Sequence, residues 1–582
     1  MRQRPLLLLA LACYCALTTG YLLRTPVFEG PDENDHLYYA FHLGHTHSLP
    51  IVLGSMAATG EPAWKNASLG HHPPLYYALL ALTLRGLGLA DASPSWTPAP
   101  QPPGPLQWRH GADESWPYST EVRGFLWLRG WSLLCGLGSL LCTWALARRL
   151  FPARPAFADA AVLCLACLPQ WCFQHGVLDN GNLATLLAHA ALLLLVQMLQ
   201  ARRWPLARGL LLGTLLGLGL LTKLTAIFLV PLVGLAWLWQ LARAAGRRRE
   251  TLGAGLLAAA AATAIAGWFF VRNLRIYGDL LGTKAHEIAY AGNRVPEQLL
   301  HTTAYWGEVL WRTLHSFCGN FGWLRVPVPE WICWAVLLCM ASALLGWLFG
   351  RKRVAPELRL EPALFFTTLA IWLVFASVLR FNQKFVQPQG RYLFPAAGPM
   401  LLMFGAGLVL CAGRFAPGLC RGWPRVLAVA CAPASALYVF AAVFWSGLAL
   451  PPVDDPLRAS LVARIATPAP AAQRTLEALA PADGSRTQAP PAFRFRAPAG
   501  ADPAARYTIH AWLEDGRILF ATHEWIGLAL PAGEYALPAS HWEQLPTDVP
   551  ICWKVRRLPD RSRGEASAAM PETPVQHLIR LR

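Results

Sequence analysis

The chain is short of charge. Only 14% of its 582 residues are Asp, Glu, Lys or Arg, where a soluble globular domain carries about 25%. That scarcity excludes an ordinary soluble enzyme. Acids are the scarcer sign, 33 against 50 basic residues, for a formal charge of +17. A basic excess invites nucleic acid, but there is no RNA-binding motif. The basic residues instead stand in short clusters between apolar runs, as the positive-inside rule describes. No nucleic-acid partner is expected. The 14 cysteines lack metal-finger spacing. Most, including Cys13, Cys15, Cys135, Cys164, Cys333 and Cys411, lie inside apolar runs and read as small packing residues. Cys318 and Cys552 fall in outer regions, and whether they pair is left open. No A-x-A-like cleavage site follows the opening run MRQRPLLLLALACYCALTTGYLL, so it reads as a retained first helix rather than a removed leader. Internal repeats, common in transporters, are also missing.

What is present is hydrophobicity, 55% of the chain, gathered in runs of about the 20 residues that span a bilayer. They lie near 5–23, 124–146, 156–173, 182–200, 208–221, 224–242, 252–271, 330–350, 361–380, 391–412 and 425–449. The expected fold is an all-α polytopic membrane domain of about eleven transmembrane helices, followed by a small C-terminal β-sandwich. The short loops that alternate with long ones carry Arg148, Arg149 and Arg154; Arg202, Arg203 and Arg208; Arg243 and Arg247 to Arg249; Arg351 to Arg353; and Arg421 and Arg425. They are assigned to the cytoplasm with the N-terminus. Eleven spans then place the C-terminus outside. The outer loops are about 24–123, 272–329 and 381–390. Within the first, LYYALLALTLRGLGLA reads as an interfacial helix or a packed surface helix, and SPSWTPAPQPPGP as irregular chain.

The expected division is a membrane domain over 1–450, a Pro/Ala-rich linker over 451–490, a β-sandwich over 491–560 and a tail over 561–582. Period-two alternation in AFRFRAP, RYTIHAWLEDGRILFATHEW and ICWKVRRL carries the sandwich, with Asp515-Gly516 as a hairpin turn. Trp512, Trp525, Trp542 and Trp553 read as its core, or more sharply as a carbohydrate platform.

Chemistry concentrates just outside the first helix. FEGPDENDHLYYAFHLG packs Glu29, Asp32, Glu33, Asp35 and His36 into eight residues. A helix starting near Pro31 puts Asp32, Asp35, His36 and Tyr39 on one face. Gathered carboxylates repel unless a cation, a proton or a substrate intervenes. Acids complementing a helix dipole account for Asp32 and Glu33 alone. A second segment, LGHHPPLYYALL, offers His71, His72 and Tyr76; a third, DNGNLA, offers Asp179, which also suits a helix cap. Lys223 interrupts apolar sequence, Arg272 and Arg275 end the seventh run, and Arg391 with Tyr392 starts the tenth. Cations at membrane depth mark function or snorkel to headgroups. Several on one side suit an anionic ligand such as a lipid phosphate.

In this order, PDENDH from Pro31 to His36, HPPLYY, LTKLTA, GW-x-x-x-RN-x-x-x-YGD and QGRYL-x-P resemble the C-type glycosyltransferase superfamily. Its members are membrane enzymes that use polyprenyl-phosphate sugars, protein O-mannosyltransferases and aminoarabinose transferases among them. Within it the motifs are similar to a bacterial membrane family with PDE-x-x-H after its first helix. The resemblance covers about residues 5–450. It implies a bacterial inner-membrane enzyme with a periplasmic active site and C-terminal domain. It also implies a polyprenyl-phosphate-linked sugar donor, and a glycan, lipid or protein acceptor. A first-loop acid serves as general base and the sugar transfers with inversion. By motif match that base is Asp32, with Glu33 second, while Lys223, Arg272 and Arg391 hold phosphate. Some relatives use a divalent metal and others do not; Asp32, Glu33, His36 and His72 are the candidate ligands for one. Relatives place a second-loop acid where this chain has Gly181 or Asn182, so Asp179 is not matched as a catalytic partner. The rival readings are a transporter or flippase for lipid-linked glycans, and a non-catalytic assembly protein.

Overall fold

A computed structural model describes residues 5–52, 69–89, 118–244, 246–289, 297–350, 361–415 and 431–448. In the C-terminal region it describes 476–497, 507–513, 518–521, 533–536, 550–557 and 575–581, with single residues such as Trp108, His110, Glu114 and Trp542. The Pro-rich stretch, the Asp515-Gly516 turn, Trp525, Arg351 to Arg353, Arg421 and Arg425 lie outside the described residues.

Helices take up each of the apolar runs. They are α1 (Pro5–Arg24), α2 (Glu33–Thr46), α3 (Leu75–Gly86), α4 (Thr120–Leu150), α5 (Pro155–Ala166) and α6 (Pro169–Gln174). Next come α7 (Asn180–Ala201), α8 (Leu206–Leu220), α9 (Leu229–Arg243), α10 (Arg248–Tyr277), α11 (Thr283–Ala289), α12 (Glu297–Leu300) and α13 (Thr303–Cys318). The last are α14 (Glu330–Leu345), α15 (Pro362–Asn382), α16 (Ala397–Phe415) and α17 (Ala432–Tyr438). Among the described residues, eight helices are long and apolar enough to cross a membrane. The runs at 156–173, 208–221 and 425–449 form shorter apolar helices: Pro155–Ala166, Leu206–Leu220 and Ala432–Gly447. Pro169 explains the first: it opens α6 and ends the preceding helix. The outward faces are apolar, with Trp331, Leu338, Leu344 and Trp372 all exposed. In water that surface would be unfavourable; against lipid it is not.

Small residues set a close crossing between α8 and α10. α8 presents Gly209, Gly213 and Gly217 to Ala254, Ala258 and Ala262 of α10. A Cβ at Gly213 would stand 2.2 Å from the Ala258 carbonyl oxygen, so the backbones meet as small-residue membrane interfaces do. α3 turns Tyr76, Tyr77, Leu80 and Leu84 inward and joins a core with Phe28, Tyr39 and Phe125. It is a packed helix of the first loop, tied to the end of α8 by the Leu75 amide donating to the Leu221 carbonyl at 3.0 Å.

After α13, β1 (Asn320–Phe321) and β2 (Val326–Pro327) form a small hairpin. The C-terminal strands are β3 (Glu477–Ala480), β4 (Ser485–Thr487), β5 (Ala492–Arg496), β6 (Tyr507–Leu513), β7 (Ile518–Ala521), β8 (Gly533–Ala536), β9 (Pro550–Arg557) and β10 (Gln576–Arg580). They make a five-stranded sheet in the order β4-β10-β9-β6-β7 and a three-stranded sheet in the order β3-β5-β8. Both contribute to one core, with Phe493 and Phe495 from one sheet and Ile509, Trp553, Val555 and Leu578 from the other. Trp542 and Trp553 are buried in it. Strands therefore extend beyond 491–560. The 451–490 stretch supplies β3 and β4, and the 561–582 stretch supplies β10. These strands are too short for alternation to register, and β10 is fixed by pairing with β9 and β4.

Candidate active site

The segment between α1 and α2 folds back on the membrane domain, and its two adjacent acids part company. Glu33 is fully buried against Arg129 of α4. Arg129 Nε donates to Glu33 Oε1 at 2.8 Å and Nη2 to Oε2 at 2.6 Å. The amides of Leu178 and Gly30 fill the remaining acceptor sites at 2.9 and 3.0 Å. Arg129 also donates to the carbonyls of Leu22, Thr25 and Pro26. This closed, bidentate cluster staples α1, α2, α4 and the chain before α7. It leaves Glu33 no acceptor for a substrate proton, which removes it as the second catalytic acid.

Asp32 does the opposite. It stands at the start of α2 with a left-handed φ of 66° and makes no side-chain cap bond to its own helix. That conformation is uncommon outside glycine and tends to persist where surroundings enforce it. Here the carboxylate turns outward to pair with Arg391 Nη2, and its side chain keeps 30% exposure. The helix-dipole account of Asp32 is thereby replaced by an ion pair.

Arg391 is the hinge of the site. Its Nη1 donates to Asp179 Oδ2 at 2.9 Å, and the opposite oxygen of Asp179 accepts from Lys223 Nζ, also at 2.9 Å. Gln174 Nε2 and the Gly181 amide complete the environment of Asp179. Burial alone would raise the Asp179 pKa, but Lys223 and Arg391 outweigh it and hold the group well below the usual carboxylate range. Asp32, Arg391, Asp179 and Lys223 thus form an alternating chain of charge. A small cleft opens beside Arg391, Asp179 and Lys223, lined also by Gln174, Asn182, Thr225 and Tyr392. Tyr392 Oη donates to Gln387 Oε1 at 2.8 Å.

A polar aromatic wall lies beside this chain. Tyr77 Oη meets His36 Nδ1 at 3.1 Å, His72 Nδ1 at 3.2 Å and Asn180 Nδ2 at 3.1 Å. The Tyr77 ring stacks on Tyr39 with centroids 3.8 Å apart. His36 Nε2 approaches Asp179 at 3.9 Å, yet burial pushes the imidazole down to about 4, against the pull of Asp179. His72 is likewise pushed down by burial and by its neighbour His71. Both are neutral near pH 7.

The other expected residues land elsewhere. Tyr76 is wholly buried, 3.5 Å from Ser132 Oγ; the tyrosine at the site is its neighbour Tyr77. Asp35 accepts from Asn34 Nδ2 at 3.0 Å instead of joining Asp32, because α2 begins at Glu33. Arg272 donates to the Pro50 carbonyl at 2.7 Å and holds the first loop, and Arg275 is exposed in the last turn of α10. The proposed metal set Asp32, Glu33, His36 and His72 is not gathered, since Glu33 is spent on Arg129 and Asp32 faces Arg391. Among the described residues the group able to hold a metal ion is His71, His72 and His286, with ligand atoms within 4.8 Å of one another. His71 Nε2 and His286 Nδ1 are 2.9 Å apart. Sequence reading missed Tyr77, Asn180, His286 and Arg129. It also missed a buried His110, whose Nδ1 and Nε2 stand 2.7 and 3.1 Å from Glu114 and Glu29. Only a charged residue in an apolar run, Arg129, left a readable trace.

Residues 123–268 match the family described as dolichyl-phosphate-mannose-protein mannosyltransferase. The match supports the C-type glycosyltransferase superfamily. It covers α4 to most of α10, including Arg129, Asp179 and Lys223. No curated protein sequence matches the chain. Among solved structures, apo ArnT from Cupriavidus metallidurans is similar at 16% identity and a TM-score of 0.44, over 78% of this chain and 68% of that one. The arabinosyltransferase EmbB from Mycobacterium smegmatis is similar at 14% identity and 0.38, over 98% and 63%. The S. cerevisiae protein O-mannosyltransferase Pmt1-Pmt2 complex bound to the sugar donor gives 17% and 0.30, over 51% and 36%. All three are distant likenesses.

Proposed function

We propose that the chain is a membrane glycosyltransferase that moves a sugar from a polyprenyl-phosphate donor to a cell-envelope acceptor, on the extracytoplasmic side of a bacterial inner membrane. The observation that carries this reading is the charge chain Asp32–Arg391–Asp179–Lys223 at the edge of a cleft. Arg391 and Lys223 are the donors for the lipid phosphate, as fixed cations for an anionic leaving group. Asp32, the acid of the chain that keeps exposure, is the base that takes the proton of the acceptor hydroxyl. The hydroxyl oxygen then attacks the anomeric carbon as the bond to phosphate breaks, inverting that centre. Asp179 is too fully hydrogen-bonded to serve as base and instead sets the spacing of the two cations. His36, Tyr77 and His72 form the neutral wall against which a sugar would pack.

The same reading orients the chain with its N-terminus and short Arg-rich loops in the cytoplasm, and the C-terminal sheets outside. The direct test uses purified protein in lipid nanodiscs with a panel of undecaprenyl-phosphate sugars and cell-envelope acceptors. Release of undecaprenyl phosphate that depends on acceptor is the expected result. Movement of intact donor across proteoliposomes without its cleavage would favour a flippase instead.

A further inference from the structure

The turn before α3 carries two adjacent histidines, His71 and His72, and α11 carries a third, His286. One ring nitrogen from each lies within 4.8 Å of the others. His71 Nε2 and His286 Nδ1 are 2.9 Å apart, across 215 residues of sequence. Two nitrogens bound to one tetrahedral zinc at about 2.0–2.1 Å stand about 3.3 Å apart, between those two values. Both sides of the cluster are fixed. The His72 amide donates to the Leu69 carbonyl at 2.7 Å, and Pro73 and Pro74 stiffen the chain behind it. Asp279 holds the start of α11, accepting from Thr283 Oγ1 at 2.6 Å and from the Lys284 amide at 3.1 Å. Gly282, with a left-handed φ of 71°, brings that chain against the other: a Cβ there would stand 3.7 Å from the His71 carbonyl oxygen. The His286 ring is seated on Phe385, with centroids 4.5 Å apart.

We infer that His71, His72 and His286 form a zinc site that ties the first outer loop to the loop after α10. Three imidazoles without a carboxylate suit a borderline transition metal such as zinc. They do not suit magnesium or calcium, which take oxygen ligands. Three protein ligands leave the fourth tetrahedral position to water. The set shares only His72 with the Asp32, Glu33, His36 and His72 group expected from the sequence. It uses no residue of the charge chain at Arg391, and it would hold its ion whether or not the chain transfers a sugar.

The ion would also steady the aromatic wall. His72 Nδ1 meets Tyr77 Oη at 3.2 Å, and Tyr77 Oη meets His36 Nδ1 at 3.1 Å. An ion on Nε2 of His72 leaves Nδ1–H to donate to the Tyr77 oxygen, and the Tyr77 hydroxyl to donate to His36. A hydrogen-bonded partner of this kind commonly stands behind a metal-binding histidine and fixes its tautomer.

The test uses the full chain in lipid nanodiscs, purified without a polyhistidine tag, stripped with a chelator and then given zinc alone. The expected result is close to one zinc per chain by elemental analysis, and a higher thermal midpoint with zinc than without. A wild-type chain that retains no zinc overturns the inference. His71→Ala and His286→Ala should each weaken zinc binding by at least about 100-fold; binding equal to wild type in both overturns it. Asp32→Asn should bind zinc as the wild type does. Zinc lost from Asp32→Asn but kept by His286→Ala would put the ion at the other group and overturn the site. The zinc-free midpoints of the variants, set against the zinc-free wild type, show whether they fold. If they do not, cobalt added to the stripped wild type decides instead. The intense visible bands of four-coordinate cobalt support the site, and the weak bands of six-coordinate cobalt overturn it.

Discussion

Asp32 and Glu33 are neighbours in sequence and share one chemistry, yet one stays partly exposed and the other is sealed. Glu33 has both oxygens filled by Arg129 and two amides, with no exposure. Asp32 has one guanidinium contact and 30% exposure. The difference separates a carboxylate that holds the fold from one free to exchange partners during a reaction. A closed buried pair is costly to break; a partly exposed pair can be lent to a substrate.

The largest effect expected from that comparison is on Asp32. Asp32→Asn should lower transfer by about 100- to 10,000-fold while the protein inserts and unfolds normally. Near-normal turnover by the purified variant would end its assignment as base. Glu33→Gln and Arg129→Met should show the reverse profile. Each leaves half of a buried pair uncompensated, a loss of about 3–5 kcal/mol, so yield and thermal midpoint should fall before any kinetic effect can be read. A stable, slow Glu33→Gln enzyme would exchange the two roles.

Lys223→Ala sharpens the comparison on the cationic side. Asp179 would keep Arg391, Gln174 and the Gly181 amide, so the fold should hold. Losing one charge-assisted phosphate contact, about 1.5–3 kcal/mol, should raise the donor KM by about 10- to 100-fold with a smaller change in kcat. Unchanged donor affinity would reduce Lys223 to a partner of Asp179.

The smallest effect concerns a second closed cluster on the same loop. Burial lowers the His110 pKa, but the hydrogen bonds it donates to Glu114 and Glu29 outweigh it and raise the group to about 9. A raised folded pKa gives stability that is complete below the unfolded value of about 6.5 and fades as pH climbs through about 9. The thermal midpoint of the native protein should therefore exceed that of His110→Gln at pH 6, and the gap should narrow towards pH 10. A gap independent of pH would assign the stabilisation to packing.

Residue patterns alone determined the class of molecule. Apolar runs fix helices wherever they occur, because the bilayer requires every backbone group to be satisfied within the segment. Rare charges in such runs, Lys223 and Arg391 among them, were visible because burying a charge in apolar sequence needs a reason. Only the tertiary structure decided which neighbour does what. One step along a helix turns a side chain by about 100°, so Tyr77 reaches His36 and His72 while Tyr76 meets Ser132. Asp179 looked like a helix cap, and it does accept from the Gly181 amide. Its place between Lys223 and Arg391 depends on contacts 44 and 212 residues away. The β-strands at 477–487 and 576–580 likewise exist because partners from distant sequence complete their hydrogen bonds. Hydrophobicity and helix period act over a few residues, whereas the satisfaction of a buried charge is settled across the whole fold.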